Sequence, residues 1–226
     1  MKIDSLLVFS MKYHEFTAIL EAGEGISVEF KRKVTSPEKI AREIVALANT
    51  TGGILLFGVD DDRTVIGVRS EKEEMDYIRQ AAEECSDPPV PYRTTIFNVQ
   101  GRDVICMEIP ESTRKPHYAV EPETGERKAF IRVGENSVQA SREMVKIMEY
   151  RSGSAGPVRI MIGEAERRLF SYLETHDRIT VKEYSELINV SKRRASRLLI
   201  RLVRAGVLAI HTMEKSDFFT LMHDTG

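Results

Sequence analysis

Residues 24–31 read EGISVEFK, residues 46–53 read ALANTTGG, and residues 58–61 read GVDD. The first piece alternates apolar and charged residues, which predicts a strand with one buried face. The second piece ends a predicted helix with an asparagine and a glycine pair. The third contains the end of a near-continuous apolar run, residues 54–59, which is typical of a central strand covered on both faces. No single packing requirement explains all three pieces in this order.

Further elements are predicted on both sides of this stretch. Ser36 followed by Pro37 is typical of a helix start, and this helix extends to about Asn49. A strand over residues 64–68 is predicted to form a hairpin with the run at 54–59. The other predicted elements are helices over 12–22, 72–84 and 141–150 and strands over 93–99, 103–109 and 129–133. Because hairpins are mixed with helices, we predict an α+β fold.

The composition changes after residue 150. Residues 151–159 are rich in Gly and Ser, with one Pro, which is typical of a linker. Beyond them, helices are predicted over 164–176, 181–188 and 192–205 and short strands over 207–210 and 218–222. This order is the layout of a winged helix-turn-helix. We therefore predict a first domain at residues 1–150 and a second at residues 160–226.

The ordered patterns resemble the Schlafen-type AlbA-like domain, which is found in bacterial predicted transcriptional regulators and in Schlafen proteins. The similarity continues through Lys115, Pro116 and His117 and through the FIRVG sequence of residues 130–134, so it covers about the first two thirds of the chain. It implies that a mixed-sheet AlbA-like domain precedes the winged helix.

The resemblance also implies a group of acidic residues. In Schlafen ribonucleases this domain is known for two glutamates and an aspartate that support metal-dependent RNA cleavage. Glu24 and Glu29 match the glutamates, and either Asp60 or Asp61 matches the aspartate. Glu24, Glu29 and Asp60 would then hold Mg²⁺ or Mn²⁺, which could activate water. Alternatively, the aspartates are turn residues and Glu29 pairs with Lys31 on a strand face.

The predicted helix at 192–205 is strongly basic, and no acidic residue occurs between Glu186 and Glu214. The candidates for nucleic-acid contact are Lys192, Arg193, Arg194, Ser196, Arg197 and Arg201 on this helix, His211 near the hairpin, and Lys31 and Arg132 in the first domain. Residues near the start of a recognition helix meet base edges, and arginine suits guanine and phosphate. The alternatives are a solvated helix face or a winged helix used for dimerisation.

Composition limits the class of protein. The chain has 226 residues, is 42% hydrophobic and carries a net charge of only -2, so a local patch must attract any phosphate. Cys85 and Cys106 lack metal-ligand spacing and are expected to be reduced. Residues 5–10 are too short to cross a bilayer and lack the features of a signal peptide. A cytoplasmic protein without membrane contact is expected.

These observations predict a nucleic-acid-binding protein, specifically a DNA-binding transcriptional regulator. Double-stranded DNA is the preferred partner, and RNA is the second choice. A homodimer is expected because two half-sites give the affinity that one small module lacks. The alternatives are a metal-dependent endoribonuclease and a ligand- or ATP-sensing interaction module. Backbone N–H groups at Gly52 and Gly53 could approach a phosphate, although such a pair more often ends a helix.

Overall fold

A computed structural model describes residues 11–153, 161–213 and 216–222. The α-helices in these ranges are α1 (Tyr13–Ala22), α2 (Pro37–Asn49), α3 (Glu71–Arg79), α4 (Arg142–Ser152), α5 (Glu164–Leu173), α6 (Val181–Leu187) and α7 (Lys192–Arg204), and a short π-helix, Gln80–Glu84, follows α3 directly. The strands are β1 (Val28–Lys31), β2 (Gly52–Phe57), β3 (Ser86–Asp87), β4 (Arg93–Val99), β5 (Arg102–Pro110), β6 (Tyr118–Val120), β7 (Arg127–Lys128), β8 (Phe130–Val133), β9 (Asn136–Gln139), β10 (Leu208–Thr212) and β11 (Asp217–Leu221). The predicted mixture of α and β is confirmed.

A mixed sheet of four strands forms the centre of the N-terminal part, in the order β1-β2-β5-β4. Strand β1 runs parallel to β2, and the other neighbours are antiparallel. The predicted hairpin at 93–99 and 103–109 is confirmed as β4 and β5. Strand β1 is an edge of the sheet, with Glu29 opposite Leu55.

Helix α2 covers one face of this sheet. Its start is capped by Ser36, whose Oγ accepts a hydrogen bond from the Lys39 amide at 3.4 Å. Ile44 and Leu47 pack in one core with Leu55 and Phe57 of β2. The opposite face is covered by α1, whose only buried residue, Phe16, stacks on Phe97 at a centroid distance of 4.4 Å. The apolar run of β2 therefore meets a helix on each side, as its sequence predicts.

The glycine pair after α2 allows β2 to approach its neighbours closely. Gly52 has a φ of +74°, and a Cβ there would lie 2.6 Å from the Ile109 carbonyl oxygen. A Cβ at Gly53 would press on the Ser27 carbonyl oxygen and lie 2.6 Å from Leu47 Cδ2. Both positions therefore require glycine for packing.

We expect Gly53→Ala to lower the free energy of unfolding by about 3 kcal/mol, because the methyl group forces β1 and α2 away from β2. Urea unfolding measures this change. Gly25→Ala is the control, since a Cβ there would meet nothing within 4 Å; its effect should be within about 0.5 kcal/mol. Equal stability of the two variants would contradict this packing.

The predicted strand at 64–68 is wrong. Only an isolated bridge joins Val65 to Val59. The Gly58 carbonyl oxygen accepts hydrogen bonds from both the Ile66 and the Gly67 amides, each at 2.9 Å. Gly67 also has a φ of +74°. The backbone therefore turns where a second strand would have to continue.

The described residues from 164 onward form α5, α6 and α7 followed by the antiparallel hairpin of β10 and β11. Thr180 caps α6 in a capping box with Glu183, and Ser191 caps α7. The core of this part contains Leu169, Tyr184, Leu199, Leu202 and Phe219. Its element order is the one predicted from the sequence.

Helix α4 packs on this C-terminal part and, through Met148, in one cluster with Ile131 of β8. Ile147 packs in the same core as Leu199. The Ser196 hydroxyl donates to Glu143 Oε1 at 2.5 Å, and the Arg204 guanidinium lies 4.0 Å from the ring centroid of Tyr150. Ser141 also hydrogen-bonds Asp217. The helix assigned to the first domain therefore also packs on α7.

Helix α4 ends inside the segment predicted as a linker. Arg151 and Ser152 belong to the last turn of α4, so the helix extends into the predicted linker. Residues 154–159 of that linker lie outside the described residues.

Within the described ranges, no helix is both long and apolar enough to cross a membrane.

Candidate functional site

Helix α7 presents a basic stripe, defined here as Lys192, Arg193, Arg194 and Arg197. All four residues are exposed, while Ala195 and the other apolar residues of α7 face the core. Arg193, Arg194 and Arg197 share one side of the helix because their spacing is three and four residues. None of the four has an ion-pair partner among the described residues. The stripe is therefore free to attract an external anion.

Two other residues of α7 that were predicted to contact nucleic acid, Ser196 and Arg201, bond to other parts of the protein instead. Ser196 is only 6% exposed and bonds Glu143 of α4, so the expectation that it meets nucleic acid does not fit its position. Its side of α7 is covered by a helix that the sequence of α7 does not reveal. Arg201 Nη2 lies 2.6 Å from Oε1 of the buried Glu166 of α5. The open basic surface is consequently confined to the first half of α7.

The hairpin adds a second, smaller group of polar and aromatic residues. His211 is exposed, and its ring stacks on Phe218 at a centroid distance of 4.8 Å. His211 Nε2 is 2.9 Å from Thr220 Oγ1. On the same aromatic ring, the exposed Arg178 places its guanidinium 5.2 Å from the centroid. Sequence reasoning missed Arg178 because its pairing with the hairpin is a long-range contact.

Three of the four predicted carboxylates, those of Glu24, Glu29 and Asp60, are held by nearby groups. Glu24 Oε1 accepts the Phe30 amide at 2.7 Å. Glu29 pairs with Lys31 and, at 2.9 Å, with Arg132. Asp60 Oδ2 lies 3.0 Å from Arg32 Nη1. The exposed Asp61 donates its amide to Asp60 Oδ1 at 3.1 Å. These contacts fit the alternative in which the acidic residues have local structural roles.

Arg132 is a buried cation rather than a surface one. Its side chain is 1% exposed, and Nη1 lies 2.9 Å from Glu29 and 3.3 Å from Glu43. Its other guanidinium nitrogens donate to the Gly25 and Ile26 carbonyl oxygens at 2.9 and 3.3 Å. The expectation of a phosphate contact at Arg132 is therefore corrected, because β8 packs on α2 and turns this residue inward. Lys31 is partly exposed and paired with Glu29.

The acidic residues do not fit a metal ion. Across residues 11–153, 161–213 and 216–222, no three or more His, Cys, Asp or Glu side chains come together as a possible metal site. Where Glu29 and Glu43 converge, the guanidinium of Arg132 supplies the positive charge. The proposed set of Glu24, Glu29 and Asp60 for Mg²⁺ or Mn²⁺ is therefore not assembled in this structure.

The Asn-Thr-Thr-Gly-Gly and Lys-Pro-His motifs meet inside the protein. Asn49 Oδ1 accepts the His117 amide, and Asn49 Nδ2 donates to the His117 carbonyl oxygen, both at 2.8 Å. The His117 ring is buried, with Nδ1 2.6 Å from the Pro88 carbonyl oxygen and Nε2 2.6 Å from Ser112 Oγ. Desolvation lowers the pKa of His117 below its ordinary value of 6.5. The neutral imidazole is therefore favoured in the folded protein.

The contribution of His117 to stability should depend on pH. The unfolded chain binds the proton near pH 6.5, whereas the folded protein resists it, so stability is complete above pH 6.5 and declines below it. We expect the difference in Tm between the wild type and His117→Gln to shrink as the pH is lowered from 7.5 to 5. Differential scanning calorimetry at several pH values measures this. A constant difference would contradict the depressed pKa.

The N-terminal part of the chain matches a known protein family. The family described as Schlafen, AlbA_2 matches residues 24–141, slightly more than half of the chain. The chain belongs to the Schlafen AlbA_2 family. The match contains the sheet, α2, the buried Arg132 and the Asn49–His117 contact. It ends before α4 and the basic stripe.

Two solved structures are similar to this Schlafen AlbA_2 chain. The DIP2311 protein from Corynebacterium diphtheriae is 18% identical, with 66% of this chain and 34% of that chain covered and a TM-score of 0.47. The N-terminal domain of a RecG-related protein from Nitrosomonas europaea is 21% identical, with 67% and 92% covered and a TM-score of 0.38. This chain spans only about a third of the DIP2311 protein.

Proposed function

We propose that this protein binds double-stranded DNA and regulates transcription. Residues 160–226 would act as a winged helix-turn-helix domain, with α7 as the recognition helix. The supporting observation is the basic stripe, which is exposed and has no acidic partner among the described residues. Membership in the Schlafen AlbA_2 family independently suggests nucleic-acid binding.

The placement of the stripe suits this role. Side chains near the start of a recognition helix reach base edges in the major groove, and the stripe occupies the first half of α7. The guanidinium groups of Arg193, Arg194 and Arg197 can pair with guanine or phosphate. His211 lies on the hairpin and Arg178 lies against its Phe218 ring, where a wing would contact the DNA backbone.

The N-terminal domain at residues 1–150 would support this binding by dimerising. Two copies of α7 could then occupy two half-sites, which raises affinity and specificity. Analytical ultracentrifugation at micromolar concentration tests the dimer directly. A monomer that binds DNA with one protein per duplex would separate the dimer proposal from the DNA-binding proposal.

A cavity favours ligand sensing as a second candidate function. Its volume is about 810 Å³, and it lies between the end of α2 and α4. The apolar Met144 and Met148 line it together with Arg151, Thr212 and Lys115, which is paired with Glu111 of the same wall at 2.6 Å. A small molecule with an apolar body and polar groups has the size and chemistry for such a space. Since α4 also packs on α7, a ligand there could influence DNA binding.

A binding titration tests the proposed function against the nuclease alternative. Fluorescence anisotropy of a labelled DNA duplex is measured at several salt concentrations, and labelled RNA is incubated with the protein and Mn²⁺. We expect salt-sensitive duplex binding, with a dissociation constant of about 10⁻⁶–10⁻⁴ M for a non-specific sequence, and intact RNA. RNA cleavage that is lost in Glu29→Gln, without duplex binding, would reverse the conclusion.

A further inference from the structure

Ser112 and His117 form a pair at the wall of a second cavity. This cavity has a volume of about 1000 Å³, and both residues line it. Ser112 is 9% exposed and His117 is 1% exposed, so their polar atoms are shielded from bulk water. Tyr92, Pro91 and Arg114 form other parts of the wall. The proposed DNA binding through α7 uses neither residue.

The hydrogen bonds determine which atoms carry protons. The Pro88 carbonyl oxygen can only accept, so the histidine nitrogen 2.6 Å away, Nδ1, must carry its proton. In the neutral ring, Nε2 then has a free lone pair. The Ser112 hydroxyl, 2.6 Å from Nε2, therefore donates its proton toward the ring. Ser112 is thus placed as a nucleophile, His117 as its base, and the Pro88 carbonyl as the group that orients the base.

The surroundings favour this arrangement at neutral pH. Burial and the nearby cations Arg114 and Lys115 lower the pKa of His117, whereas the Pro88 carbonyl and Asp87 act in the opposite direction. The net effect keeps the imidazole neutral and able to accept a proton. The Arg114 amide donates to Ser112 Oγ at 3.0 Å. This bond holds the hydroxyl in place, so that its proton points at His117 Nε2.

We propose that Ser112 and His117 act as a nucleophile and its general base toward small carboxylic esters that enter this cavity. Ser112 Oγ forms a bond to the acyl carbon while its proton passes to His117 Nε2. The C–O bond to the alcohol then breaks, and His117 returns the proton to the departing alkoxide. Water later releases the acyl group as a carboxylic acid by the same route. This activity is independent of the proposed DNA binding.

Acetylation by p-nitrophenyl acetate tests the proposal. Release of p-nitrophenol is followed by absorbance, and peptide mass spectrometry locates the acetyl group. We expect acetylation on Ser112 in the wild type and its loss in Ser112→Ala. Thr113→Ala is the matched control, because Thr113 lines the same cavity but is not bonded to His117. Acetylation found elsewhere, or equal rates for Ser112→Ala and the wild type, would overturn the proposal.

The rate of acetylation tests whether His117 acts as the general base. We expect His117→Gln to slow acetylation by about 100-fold or more, the usual contribution of a general base. In the wild type the rate should fall with decreasing pH as His117 becomes protonated. A purely structural histidine would not produce this profile. If His117→Gln fails to fold, the pH dependence of the wild-type acetylation rate remains as the test. A rate that does not change between pH 7 and 4.5 would overturn the proposal that His117 is the general base.

Discussion

Arg132→Met is expected to lower the free energy of unfolding by about 3–5 kcal/mol, because it removes a buried guanidinium that two largely buried carboxyl groups share. The carboxyl groups of Glu29 and Glu43 both contact this guanidinium, and their side chains are only 12% and 21% exposed. The Gly25 and Ile26 carbonyl oxygens lose their donors as well. Urea unfolding followed by circular dichroism measures the loss.

Lys128→Met provides the control for this prediction. Lys128 also pairs with a glutamate, Glu126, at 2.8 Å, but both side chains are about half exposed. Such surface pairs contribute about 0–1 kcal/mol. Adding Glu43→Gln to Arg132→Met should recover part of the lost stability, since one unpaired charge is removed. A loss at Arg132 no greater than that at Lys128 would show that Arg132 is not the buried counter-charge of this region.

Arg194→Ala/Arg197→Ala is expected to weaken duplex DNA binding by at least about 30-fold. Each contact from arginine to a base or phosphate contributes about 1–3 kcal/mol, and two contacts are removed. Both side chains are exposed and have no ion-pair partner among the described residues, so the fold should be unchanged. Fluorescence anisotropy measures the affinity, and circular dichroism verifies the fold.

A second double variant distinguishes the loss of specific contacts by α7 from the loss of positive charge in general. Lys39 and Lys72 are exposed on the N-terminal part and are distant in sequence from α7. Lys39→Ala/Lys72→Ala removes the same net charge and should change the affinity by less than about threefold, since neither residue is proposed to touch DNA. Comparable losses in both double variants would indicate non-specific attraction rather than recognition by α7.

The sequence predicts the elements whose signals are local. α2 and α7 both have a capping serine and apolar residues at helical spacing, and both begin at the expected residue. The hairpin of β4 and β5 likewise follows from alternation around Gly101. Residues 64–68 have the same apolar character but turn at Gly67, where the backbone is left-handed. Alternation alone does not reveal such a turn.

The surroundings of the candidate site residues do not follow from the sequence, because their partners are distant along the chain. Arg132 alternates away from the apolar residues of β8, yet α2 and β1 cover that side. Ser196 occupies the polar side of α7, yet α4 packs there through Glu143. Asn49 and His117 belong to two separate motifs, and nothing in their spacing indicates that they bond each other. Periodicity identifies the face of an element and does not identify what covers it.

The salt dependence of duplex binding tests the central claim most directly. For each phosphate contact, the logarithm of the affinity changes by about 0.9 per unit of the logarithm of salt concentration. If Arg194 and Arg197 bind DNA, the slope for Arg194→Ala/Arg197→Ala should be shallower than that of the wild type by up to about 1.8. Equal slopes and equal affinities for the two proteins would show that α7 does not contact the DNA.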